Sequence, residues 1–156
     1  MTFAAGHGRN GQQQKPRKVT LVSRQIFVNL PVSDLDKSVE FFTKLGFEFN
    51  ADFTNEQATM MIVNESASVM LLVNEFFSTF TPGTTPPDPL KGSEAIVALS
   101  AESREEVDEL ATKALEAGAK EARPAEDHGW MYGKSFRDLD GHIWELTWMG
   151  EYPTEG

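Results

Sequence analysis

The sequence predicts a single α+β domain made of two tandem β-α-β-β-β modules. A strand, a capped helix, a glycine stop and three more strands occur twice, offset by roughly seventy residues. The one Pro/Gly-rich break in the body of the chain, residues 81–93, falls between the two occurrences. A length of 156 residues with 40% hydrophobic content suits one buried core and is too short for two ordinary domains.

The first element is a strand from Arg24 to Val32, where Ile26, Val28, Leu30 and Val32 alternate with Gln25, Phe27, Asn29 and Pro31. A helix follows, with Ser33 as its cap and Asp36 completing a weak capping box. Its apolar stripe is Leu35, Val39, Phe42 and Leu45, and Gly46 supplies the left-handed residue past its end. Strands are predicted near 47–54, 57–65 and 68–77. After the linker the pattern restarts. Ala95, Val97 and Leu99 mark a strand, Ser103 and Glu106 form a clearer capping box, and Val107, Leu110, Ala111 and Ala114 mark a helix ending at Gly118. Three strands near 120–126, 131–137 and 142–149 complete the second module, the last two joined by the turn at Asp138–Gly141. The organisation is therefore a basic leader (1–22), a domain (23–150, with modules 23–80 and 94–150) and a short tail (151–156).

Composition removes several function classes. The net charge is -10, the opposite of the basic field that phosphate backbones select, so a nucleic-acid partner is not expected. Arg9, Lys15, Arg17, Lys18 and Arg24 all precede the first acidic residue, Asp34, and read as a solvated basic tail on an acidic body. With no cysteine, disulfides, thiolate nucleophiles and zinc-thiolate sites are all excluded. No apolar run approaches the ~20 residues of a spanning helix, and no secretory signal is read, so a soluble cytoplasmic protein is expected. Neither a nucleophile elbow nor a glycine-rich phosphate loop is found.

Two motifs carry a family resemblance. Val28, Leu30, Val32, Ser33, Asp34, Leu35, Ser38, Phe41 and Phe42, running on to Gly46 and Phe47, resemble the opening strand and helix of the glyoxalase/bleomycin-resistance (vicinal oxygen chelate) superfamily. Asp138, Asp140, Gly141, His142, Glu145 and Leu146 resemble its closing hairpin. The resemblance covers about residues 24–149 and implies sheets curled around a cleft, helices on the outside and ligands within. It also implies a homodimer, because single chains of this superfamily commonly pair to complete their clefts.

Metal-dependent members place four ligands in the cleft, on the first, fourth, fifth and eighth strands. Carried onto this chain, those positions are Phe27, Leu71, Ile96 and Glu145. Only the last can coordinate a hard cation, so no metal cofactor is expected. A displaced divalent site using His128 and Glu145, with Glu126, Asp127 or Glu75, is the weaker alternative. Strand parity independently turns Phe27, Asn29, Ile96 and Glu145 toward the cleft. Desolvation among apolar neighbours would disfavour the ionised form of Glu145 and suit it to acid-base work. The segment holding His128, Trp130, Tyr132 and Lys134 offers an aromatic wall with a proton donor and an ammonium.

Two functions follow from these residues. One is metal-independent binding of a small amphipathic or aromatic molecule against Phe27, Asn29, Leu71, Ile96, Trp130, Tyr132 and Lys134. The other is a lyase/isomerase or dioxygenase-like enzyme with Glu145 and His128 as catalytic groups.

Overall fold

The computed structural model describes residues 24–93, 95–151 and 153. The leader at 1–22 and most of the tail lie outside the described residues. The first module runs β1 (Ile26–Val32), α1 (Leu35–Lys44), β2 (Glu48–Asn50), β3 (Ala58–Asn64), β4 (Ala67–Val73) and a short α2 (Asn74–Thr79). The second runs β5 (Ile96–Ala101), α3 (Arg104–Glu116), β6 (Lys120–Asp127), β7 (Met131–Arg137) and β8 (Ile143–Met149). Each module makes one four-stranded mixed sheet, in the orders β1-β4-β3-β2 and β5-β8-β7-β6. β1 pairs with β4, and β5 with β8, in parallel; the remaining pairs are antiparallel. The duplication read from the sequence is therefore a duplication of topology.

The helix stops repeat as well. Gly46 and Gly118 have φ of 97° and 108°, the left-handed region that only glycine enters without strain. Phe47 N donates to Phe42 O and Gly46 N to Thr43 O; Ala119 N donates to Ala114 O and Gly118 N to Leu115 O. Both helices thus close on the same crossed pair of bonds. At the start of α3, Ser103 accepts from Glu106 N as expected, and Glu106 returns a bond to Glu102 N. At the start of α1 the cap is Asp34, which accepts from Lys37 N at 3.0 Å, and Ser33 lies one residue too early. Ser33 N instead donates to Asp140 in the second module.

The strand expected over 68–77 ends at Val73. Residues 74–79 turn into α2, where Ser78 and Thr79 hydroxyls bond back to Asn74 O and Phe76 O. Phe76 and Phe80 then meet edge to face at 5.0 Å across one helical turn.

One core serves both modules. Leu30, Val32, Val69 and Leu71 of the first sheet share a cluster with Val107, Ala111, Phe136, Trp144 and Leu146 of the second. Helix α1 sits between them. Phe42 lies 4.9 Å from the Trp144 ring and Phe41 lies 6.2 Å from that of Phe136. The stripe of Leu35, Val39, Phe42 and Leu45 is therefore only part of the buried arc, which also takes in Ser38 and Phe41. Each buried phenylalanine contributes about 1.5–3 kcal/mol.

A corner of the second module locks the two halves. Asp138 is buried, and its Oδ1 accepts from the backbone N–H groups of Asp140, Gly141 and His142. Its Oδ2 accepts from Trp144 Nε1 at 2.9 Å. Burial pushes this carboxyl upward from its ordinary pKa, and the N–H donors oppose that shift. His142 Nε2 lies 2.6 Å from Pro31 O, so His142 is a structural tie to β1.

Candidate functional site

Strand register decides which side chains reach an open face. In the first sheet Phe27 pairs with Ser68 and Asn29 with Met70, while Leu30 pairs with Leu71. Phe27, Asn29 and Met70 therefore share the open face, and Leu71 shares the helix face. Leu71 is 0% exposed within the common core. It does not line a cleft, which corrects the placement expected from motif alignment. The second sheet shows where the alignment slipped. Ala98 pairs with Glu145 as Asn29 pairs with Met70, so Met70 occupies in module one the place of Glu145 in module two. The alternation of Val69, Leu71 and Val73 already carried this signal.

Phe27 and Ile96 stand on open faces, 49% and 52% exposed. Asn29 is exposed beside them, with Nδ2 donating to Phe27 O at 3.4 Å, and it lines a cavity with Phe77 and Phe80. Phe27 and Ile96 belong to different sheets, and Asn29 of the first sheet shares a pocket with Ile143 of the second.

The surroundings of Glu145 are polar. One row crosses the second sheet: Arg123 on β6, Ser135 on β7, Glu145 on β8 and Ala98 on β5 are in register. Arg123 Nη2 lies 2.8 Å from Glu145 Oε1, and Arg123 Nε lies 3.3 Å from Glu126 Oε1. The ion pair joins strands that flank β7, so it crosses above Ser135, whose small side chain leaves room. Ser135 is 5% exposed, and its Oγ has no hydrogen-bond partner among the described residues. The apolar pocket expected around Glu145 is replaced by a guanidinium. Arg123 and Ser135 were not singled out from the sequence, where only cross-strand register could have linked them to Glu145.

His128 sits in the turn between β6 and β7, 54% exposed at its side chain, with Nε2 3.9 Å from Glu126 Oε2. Glu126 in turn pairs with Arg123, and Arg123 with Glu145. Trp130 is half-buried, its ring 6.5 Å from that of His128, and its carbonyl accepts from Gly150 N.

Tyr132 and Lys134 face the other way. Both alternate with the open-face residues of β7 and point at α3: Tyr132 Oη donates to Asp108 Oδ1 at 2.8 Å, and Lys134 Nζ lies 2.6 Å from the same oxygen. Arg104 joins this layer, holding both oxygens of Asp127 and the Gly129 carbonyl while its guanidinium covers the Tyr132 and Trp148 rings. That clamp holds the Asp127 carboxyl down at a pKa of about 2. Tyr132 and Lys134 thus fasten a helix to its sheet.

The positions that would hold a metal do not fit one. Phe27 and Ile96 have no lone pair, Met70 offers only a soft thioether, and Glu145 is already paired with Arg123. Among the described residues no group of three His, Asp or Glu side chains is placed to hold an ion. Nor is any helix among them long and apolar enough to cross a membrane.

The fold and the two motifs define the class. The family model of the Glyoxalase/Bleomycin resistance protein/Dioxygenase superfamily matches residues 24–146, and the chain belongs to that superfamily. Its fold is shared by a hypothetical protein from S. aureus, at 28% identity over 79% of this chain and 92% of that one, with a TM-score of 0.69. A glyoxalase-related enzyme from Fulvimarina pelagi matches at 20% identity over 88% and 94%, with a TM-score of 0.70. An antibiotic binding protein from a Streptomyces species matches at 20% identity over 85% and 99%, with a TM-score of 0.59. No functionally curated protein matches the sequence.

Proposed function

We propose that this protein binds a small amphipathic or aromatic molecule in clefts completed by a second copy of the chain, without the metal centre of its metal-dependent relatives. The observation that carries this reading is the set Phe27, Met70 and Ile96 on the open faces, with Glu145 held by Arg123 at 2.8 Å. Carbon and thioether groups suit a ligand frame and do not suit a hard cation. The dimer is supported by Phe27 and Ile96, large apolar side chains that stand uncovered in the single chain. The Streptomyces protein of the same fold binds an antibiotic, and fold alone does not choose among the functions it hosts. A cysteine-free chain suits a reducing compartment, and the cytoplasm is the location we propose.

The enzymatic reading has less behind it. Glu145 is engaged by Arg123, and His128 stands at the far end of a chain of charged groups.

Calorimetric titration of the purified protein with zinc, nickel, manganese and ferrous ions tests the proposal. The expected result is no stoichiometric binding of any of the four. A tight one-to-one site for any of them overturns it.

A further inference from the structure

We infer that Arg123, Ser135 and Glu145 form a recognition subsite for planar molecules that present a hydrogen-bond donor and acceptor side by side, as a cyclic amide does. The inference deepens the binding reading above and rests on it. Three features of the second sheet's open face carry it.

First, Ser135 Oγ is buried and makes no hydrogen bond among the described residues, although a buried hydroxyl without a partner is costly and few survive in a folded chain. Second, the ion pair above it is only partly enclosed, with side-chain exposures of 46% for Arg123 and 20% for Glu145. An exposed pair of this kind contributes little to folding, so separating its partners costs little. Third, Ala98 lies next in the row, and its small side chain leaves space beside the Glu145 carboxylate.

A planar group sliding between the two partners meets a carboxylate on one side and guanidinium and hydroxyl donors on the other. A ligand N–H donates to Glu145, and the adjacent carbonyl accepts from Arg123 and from Ser135, which gains the partner it lacks. The charges already present select this pattern over a simple anion, because Glu126 and Glu145 both neighbour the one guanidinium. Ile96 and Ile143, paired at the same end of the sheet, offer an apolar surface to the ring system that carries the amide edge.

The probes are 2-quinolinone and N-methyl-2-quinolinone, which share a ring and differ in the amide donor. Titration of the full chain should give at least ~10-fold tighter binding of 2-quinolinone, since a site built for a donor rejects the analogue lacking it. Ser135→Ala should weaken 2-quinolinone several-fold, leave the N-methyl compound unchanged and melt no lower than the parent, because it removes a hydroxyl with no partner to lose. Equal affinity for the two probes, no binding of 2-quinolinone, or an unchanged 2-quinolinone affinity in Ser135→Ala each overturns the subsite. Binding of both probes without preference leaves the binding reading intact while removing the subsite. A metal found in the calorimetric titration removes the binding reading itself.

Discussion

Asp138→Ala should lower the stability of the folded chain by about 3–5 kcal/mol, the largest effect expected of any single polar substitution in the second module. The carboxylate gathers the N–H groups of Asp140, Gly141 and His142 with one oxygen and the Trp144 indole with the other. Alanine leaves the buried Trp144 indole N–H and the partly buried N–H groups of Asp140 and His142 without this acceptor, while Gly141 N keeps its bond to the Asp138 carbonyl. Trp144 is fully buried against Phe42 of the first module, so the loss spreads from the hairpin into the core common to both halves. Asn at the same position keeps an acceptor oxygen for the turn but sets an amide N–H₂ donor against the indole N–H, and should cost less. Thermal unfolding monitored by near-ultraviolet circular dichroism checks both variants, with a drop of roughly 10 °C or more expected for alanine in a chain of this size. Equal melting temperatures for the parent and Asp138→Ala would show that the hub is dispensable.

The second large effect separates two adjacent residues. Leu71→Ala should cost about 3–5 kcal/mol, because it opens a cavity in a fully packed core. Met70→Ala should cost about 1 kcal/mol or less, because Met70 is half-buried on the opposite face. Chemical denaturation of the two variants gives the comparison directly. If Met70→Ala were the more damaging, the register of β4 described above would be wrong by one residue.

That single residue shows what a sequence of this kind reveals and what it withholds. The duplicated order of elements was legible because each signal is local: alternation for the strands, the Ser103–Glu106 box, and the glycines that close α1 and α3. The family motifs added the topology. Burial on both sides of α1 was not legible, since Phe41 contacts a ring from the far half of the chain. The site suffered for the same reason. Tyr132 and Lys134 look like ligand contacts in a linear segment, yet they alternate with Ser135 and fall on the side of α3. Leu71 came from matching a motif across a strand of near-uniform apolarity, where a one-residue slip exchanges the two faces. Arg123 and Glu145 are 22 residues apart in number and meet only through two strand registers. Local pattern cannot encode such a meeting.

The binding proposed for this chain uses clefts closed between two copies, with carbon side chains at Phe27 and Ile96. Since the chain contains no cysteine, a thiol can be introduced at one chosen position without background. The decisive measurement mixes a Phe27→Cys chain with an Ile96→Cys chain and treats the mixture with a short bis-maleimide. A covalent two-chain product that requires both variants is the predicted result. A mixture that yields no more two-chain product than either variant alone contradicts the account.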